Sequence, residues 1–285
     1  MNHLTEHQNG LLAVFVAAIL WSSGGLLIKL VTLTPMQISF FRGSIAALTF
    51  AVIFKQKILQ YNRLSVVNSF FYAGVLIFYV IAMKTTTAAN AIFLQSTAPI
   101  YVLIFEPIIN KTNYERSNII TIVVCFSGMI LFFLGDLTPG QLEGNFFALM
   151  AGILFAAFFL GMKKNDKKYQ QSSIFLGNII VALISLPFIF SIDELAFSDL
   201  WMVSFLGVFQ IAIAYAFFSY GLKRVFAVEA SIISMTEPVL TPLWVFIGYG
   251  EVPATTAILG GIIILTAISV RTIQMGRSLI GRGIS

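Results

Sequence analysis

The sequence predicts an all-α integral membrane protein of ten transmembrane helices, arranged as two inverted five-helix repeats. Three observations lead there. Apolar runs of spanning length recur along the whole chain, basic residues gather in alternate connections, and the pattern of the first half returns weakly in the second. Composition sets the solvent. Of 285 residues, 58% are hydrophobic and only 10% charged, with a mean hydropathy of +0.93. A water-facing surface needs roughly 25% charged residues, so this chain calls for lipid. Its 28 phenylalanines suit lipid-facing and interfacial surfaces.

A span needs about 20 mostly apolar residues. Helix one is predicted over 10–30, and helix two over 35–54 behind Thr34-Pro35. Helix three follows over 65–84, helix four over 87–109 and helix five over 117–135. The second half repeats the scheme over 143–162, 173–191, 199–221, 227–249 and 255–274. The first run follows an N-terminus without Lys or Arg and lacks a small-residue cleavage site, so it reads as a retained helix rather than a signal peptide. The connections are too short for an extramembrane domain.

The net charge of +5 is distributed, not patched. With the N-terminus in the cytoplasm, inside connections hold Lys55, Lys57, Arg63, Lys111, Arg116, Lys163, Lys164, Lys167, Lys168, Lys223 and Arg224, and the C-terminal tail adds Arg271, Arg277 and Arg282. Outside connections hold Asp136, Glu143, Asp193, Glu194, Asp199 and Glu251. Lys29, Arg42 and Lys84 fall toward the outside, near helix ends from which they would snorkel. This asymmetry predicts a multi-pass protein of the cell membrane with an even number of spans and both termini cytoplasmic. It gives no reason to expect nucleic acid as a partner. The single cysteine, Cys125, lies in an apolar run and reads as a small buried hydrophobe.

Segment 73–103 lies over 212–242 at a shift of about 139 residues, pairing Ala73, Phe78, Lys84, Ala88, Ala91, Thr97 and Pro99 with Ala212, Phe217, Lys223, Ala227, Ala230, Thr236 and Pro238. Gly10 to Lys29 likewise resembles Gly144 to Lys163. The predicted units are residues 1–136 and 137–285, five helices each. An odd number of spans per copy forces the copies into opposite orientations. Inverted repeats of that kind build secondary transporters, with the site near the midplane.

These residues resemble the EamA family of the drug/metabolite transporter superfamily. The resemblance runs through AAILWSSGGLLIK (Ala17 to Lys29), PMQISFFRGSIAAL (Pro35 to Leu48), the helix-four sequence TAANAIFLQSTAPIYVLIFEP, and SIISMTEPVLTPLWVFIGYGEVP with its Glu-Pro and Gly-Glu turn. It covers nearly the whole chain. One departure is the first copy's fourth connection, where Lys111-Thr112-Asn113 stands in place of a Gly-Glu turn. The resemblance implies ten helices in two inverted halves, a central cavity lined by helices one, three, four, six, eight and nine, and metabolite transport.

The candidate site residues are the polar and aromatic positions inside the spans. Pro99 and Pro238 each free the carbonyl four residues back, at Gln95 and Ser234. They are candidate hinges, or packing kinks satisfied by neighbours. Glu237, an ionisable group in an apolar run, is a candidate for substrate contact or proton coupling, against a purely structural hydrogen bond. Glu229 and Glu106 read as solvated mouth positions. Asn90, Gln95 and Thr97 on helix four and Ser234 on helix nine offer donors and acceptors without fixed charge; interhelical bonding is their plainer use. Trp21, Ser22, Tyr79, Gln210 and Tyr215 would make an aromatic wall with a few polar groups, a common build for a small-molecule pocket. Phe155 and Phe159 either line it or face lipid. Gly24 and Gly25 read as close-contact positions between helices.

The predicted function is therefore secondary-active transport of a small metabolite, an amino acid or related uncharged or zwitterionic compound, with protons as a possible coupling ion. Monomer and homodimer stay equally open. The runner-up is an antiporter of phosphorylated or nucleotide-linked metabolites, which wants several converging cations; Lys84, Lys223 and Arg42 lie at different depths and argue against it. An enzyme would need a nucleophile with its base, a carboxylate pair or a metal set. His3 and His7 make two ligands without a third, and no Walker, Gly-x-Ser-x-Gly or HExxH pattern occurs. No cofactor or metal is called for. A membrane receptor would leave the duplication without a use.

Overall fold

The first turn of each early helix is written in the local sequence. Thr34 accepts from the Gln37 amide while the Gln37 side chain accepts from the Thr34 amide at 2.9 Å, a capping box with Pro35 at the first helical position. Asn62 and Ser65 form the same reciprocal pair. In the computed structural model, residues 2–111, 116–135, 141–192, 194–222, 224, 233–234 and 236–281 are described. Glu229, Ser231, Lys223, Asp136, Asp193 and Arg282 lie outside them.

The described residues form α1 (Asn2–Leu30), α2 (Pro35–Phe54), α3 (Arg63–Thr85), α4 (Ala88–Gln95), α5 (Ala98–Asn110) and α6 (Arg116–Gly135). There follow α7 (Gln141–Lys164), α8 (Gln170–Ser185), α9 (Phe197–Phe205), a π-helical stretch (Leu206–Ile213), α10 (Ala214–Leu222), α11 (Thr236–Tyr249) and α12 (Thr255–Gly281). Seven helical stretches of the described residues are long and apolar enough to cross a membrane, and Arg116–Gly128 and Thr255–Arg271 are shorter apolar helices.

Three local departures from the sequence reading matter. First, helix four is not continuous. It breaks at Ser96 and Thr97, where Thr97 bends back to bond the Leu94 carbonyl through both its amide and its hydroxyl. Pro99 thus stands in the first turn of α5 instead of kinking an unbroken helix, where its missing N–H costs no intrahelical bond. Second, helix eight carries eight residues of π-helix in its middle, a rare geometry that concentrates at functional sites. Third, α1 and α12 run beyond the predicted ends, and Arg271, read as a tail charge, is buried and donates from Nε to Asn118 Oδ1 of α6 at 2.6 Å.

The helices pack in a paired arrangement. α3 lies on α7, α1 on α10 and the π stretch, α2 on α8, α6 on α12, and α1 on α11 while α4 and α5 lie on α7. One apolar core runs through Ile28, Met83, Ile92, Leu94 and Leu206, and a second through Phe50, Tyr72, Phe158, Val181 and Ile211. Outside these cores the surface is an apolar belt; Phe190 and Phe197, for example, are each 82% exposed, a coat suited to lipid rather than water.

Candidate functional site

An arginine in the middle of an apolar helix must find partners or stay costly. Arg42 stands about 10 Å along α2 from its start, at 1.5 Å per residue, and only 3% of it is exposed. That corrects the reading of Arg42 as an outward, snorkelling cation: its Cβ faces the bundle interior, from where the side chain reaches no headgroup. Nη2 donates to Gln210 Oε1 at 2.8 Å. Nε and Nη1 are buried without a hydrogen-bond partner. Gln210, on the π stretch, also donates from Nε2 to the Trp21 carbonyl at 3.4 Å. The π register thus helps to seat a fixed amide between α1 and α2.

Around Arg42 lie Tyr72, Tyr79, Tyr215 and Glu237, each close enough to interact with it electrostatically. Tyr215 packs edge-on against Trp21 at 5.3 Å and against Tyr72 at 5.9 Å between ring centroids. The Tyr79 hydroxyl, Gln95 Oε1 and Ser234 Oγ are likewise buried without partners. Buried polar atoms are usually satisfied; those of Arg42 on α2 and Tyr79 on α3 are not, and the two residues interact. That is the signature of a place where a polar ligand completes the bonding.

Other predicted positions do different work. Ser22 is fully buried; its hydroxyl donates to the Ile19 carbonyl at 2.7 Å and accepts from Trp244 Nε1 at 3.0 Å, fastening α1 to α11. Asn90 joins a knot with Thr86 and Asn145: Nδ2 of Asn90 donates to Asn145 Oδ1 at 3.1 Å, and Thr86 Oγ1 donates to the same oxygen at 2.7 Å. This is interhelical bonding between α4 and α7. Asn145→Ala is expected to lower stability by about 1 kcal/mol, read as a lower unfolding temperature in detergent; an unchanged temperature would show the knot to be idle. Thr97 is spent on the helix break, and Pro238 is buried in the first turn of α11. Phe155 stacks parallel to Phe158 at 6.4 Å, whereas Phe159 is 54% exposed on the outer face, apart from the cluster.

At the end of the bundle where α1 and α3 finish, Lys29 and Lys84 are tied down rather than snorkelling. Lys29 pairs with Glu251 at 2.7 Å and donates to the Thr86 carbonyl at 2.7 Å. Glu251 also caps α4 by accepting from the Ala88 amide, Lys84 donates to the Val31 carbonyl, and Asp199 accepts from the Thr32 amide at 2.9 Å and from its hydroxyl. Carbonyls and carboxylates within reach outbid the distant interface. Two apolar grooves lie on outer faces, one along α1 and α10 at Leu12 and Phe217, the other along α9 at Trp201 and Phe205; neither touches Arg42.

Sequence reasoning did not single out Tyr72 or Trp244, and it misread Arg42 as snorkelling. For Arg42 a signal was present: an ionisable residue well inside an apolar run is a functional candidate by default.

The model of the EamA-like transporter family matches residues 8–134 and again 142–272. An "uncharacterized transporter" of Archaeoglobus fulgidus is 30% identical over 193 residues, covering 67% of this chain and 69% of its own. The "uncharacterized transporter YdfC" of Bacillus subtilis is 25% identical over 259 residues, covering 86% and 84%. Among solved structures, a crystal structure 16% identical in sequence superposes with a TM-score of 0.65, covering 95% of this chain and 98% of that one; it shares the fold.

Proposed function

This chain belongs to the EamA-like transporter family, and from that premise we propose that it carries a small uncharged or zwitterionic metabolite, an amino acid or a close relative, across the cell membrane by alternating access. The observation that carries the reading is the buried Arg42 with two unpartnered nitrogens, beside the unpartnered Tyr79 hydroxyl. The groups come from both matched stretches: Arg42 and Tyr79, with unpartnered buried atoms, from the first, and Glu237, which interacts with Arg42, from the second, with Gln210 of the second holding Arg42. A site shared by two halves is what rocking of one half against the other requires.

Ten spans in two inverted halves fit the packing. Adding five to each predicted helix number turns the three–six contact (α3 on α7) into the eight–one contact (α10 on α1), and one–nine (α1 on α11) into six–four (α7 on α4), while two–seven and five–ten return to themselves. The break between α4 and α5 beside Pro99, and Pro238 at the start of α11, stand where hinges would act. In this reading Glu237 exchanges a proton with whichever side is open. Phosphorylated cargo is disfavoured: Lys29 and Lys84 are committed at the bundle end, which leaves Arg42 as the cation of the described interior cluster.

Charge asymmetry puts the Lys29–Glu251 end on the outside with the termini in the cytoplasm. On that orientation the Lys29–Glu251 pair supports reading this conformation as a carrier closed outward. Glu251→Gln is expected to speed labelling of Ala88→Cys by an external impermeant maleimide about tenfold, equivalent to about 1.4 kcal/mol of lost closure, in a Cys125→Ala background. Equal rates with and without Glu251 would mean the pair does not hold that end shut. The function itself is tested by flux into proteoliposomes across a metabolite panel, with and without a proton gradient. Substrate-dependent flux is the expected result; binding without flux would make the protein a receptor.

A further inference from the structure

A buried guanidinium and a nearby carboxylate would ordinarily close on each other, because separated charges in a low-dielectric interior are expensive. Arg42 and Glu237 do not. They interact across the interior, yet Nη2 of Arg42 goes to the neutral amide of Gln210, and Nε and Nη1 go to nothing. Gln210 is itself pinned, by its second bond to the Trp21 carbonyl. It therefore holds Arg42 back from Glu237, and the π-helical stretch on which Gln210 sits is part of what sets that position.

We propose that Arg42 and Glu237 are the two poles of a zwitterion receptor, Arg42 taking the cargo's carboxylate and Glu237 its ammonium group. The inference rests on the carrier reading above and narrows its cargo to compounds with both charges. The guanidinium has donors to spare in a planar fork that matches a carboxylate. Tyr72, Tyr79 and Tyr215 each interact with Arg42, and aromatic ring faces favour an ammonium. A phosphate would gain one guanidinium and meet Glu237 as a like charge. A neutral solute would leave both poles unsatisfied. Because Arg42 lies in the first matched stretch and Glu237 in the second, a bound zwitterion adds a tie between the two halves at the site, where the Gln210 bond to Arg42 otherwise joins them.

The test uses the full-length protein in proteoliposomes and counterflow of labelled L-leucine and L-phenylalanine. Competitors are the decarboxylated amines (isoamylamine, phenethylamine) and the amino-free acids (isocaproate, hydrocinnamate). The wild-type protein is expected to carry at least one amino acid and to bind each single-charge analogue at least about 30-fold more weakly, as a site with an unpaired buried charge rejects a ligand lacking its partner. Arg42→Gln is expected to erase the advantage of amino acid over amine while leaving amine competition unchanged, Arg42→Lys to restore part of it, and Glu237→Gln to erase the advantage over the acid. Amines or acids competing as well as the amino acid in the wild type overturn the proposal without any variant having to fold. Flux of a neutral or phosphorylated metabolite in the absence of amino-acid flux also overturns it, and leaves the carrier reading standing. Flux of nothing in a broad panel is instead the failure of the carrier reading itself.

Discussion

Arg42→Met is expected to abolish amino-acid transport and, at the same time, to make the folded protein more stable. The two effects share one cause. Arg42 is 97% buried, with two of its three nitrogens unpartnered. Keeping a charge in that state costs several kcal/mol after relaxation, and replacing buried charges with apolar groups of similar volume commonly gains about 1–4 kcal/mol. Methionine has similar length and fills irregular gaps. Against this, Gln210 Oε1 loses its donor, which costs about 1–3 kcal/mol if nothing replaces it. The net expectation is a modest gain, roughly 1 kcal/mol, measured as a higher unfolding temperature in detergent alongside loss of counterflow. A function-bearing charge behaves this way, since its strain is kept for the ligand. A lower unfolding temperature with transport intact would instead make Arg42 a structural tie between α2 and the π stretch.

Gly25→Ala is expected to act in the opposite sense, by pushing α1 off α11. A methyl group at position 25 would overlap Cγ2 of Thr241 and lie 3.5 Å from Cε of Met83 and 3.6 Å from Cγ2 of Val245. The clash falls on a branched side chain whose hydroxyl is committed to the Ser22 carbonyl at 3.3 Å, one turn from the Trp244–Ser22 bond at 3.0 Å. Overpacking of this kind costs about 1–3 kcal/mol, and here it also strains both bonds. The unfolding temperature should fall accordingly. The decisive measurement is the double variant Gly25→Ala with Thr241→Ser, which deletes the offending methyl and keeps the hydroxyl. Recovery of most of the lost stability is expected; no recovery would place the cost elsewhere than in this contact.

The sequence reading was strongest where structure depends on neighbours along the chain. Apolar run length located the helical stretches, and Thr34-Pro35-x-Gln37 marked the start of α2. It was right about Gly24 and Gly25, whose missing side chains admit Gln210 and Thr241. It failed where a choice depended on what lies across the bundle. Position alone did not say which way Arg42 points, and an alignment of apolar repeats assigned depth without assigning a facing side. Tyr72, an aromatic in an aromatic-rich chain, carried no local mark. The break at Ser96–Thr97 was half visible, since Pro99 announced a disturbance and the hydroxyl that resolves it stood two residues earlier.

By itself, then, the chain's composition and periodicity determined that it dissolves in lipid as a bundle of apolar helices, because burial in lipid is decided by local run length and charge density. The tertiary structure alone decided that Arg42 meets Gln210 across 168 residues of sequence, that Lys29 is held by Glu251, and that Arg42 and Glu237 stay apart. Those outcomes depend on which helix faces meet and on a π-helical register that shifts where side chains point, and neither quantity is written in the order of residues along one helix.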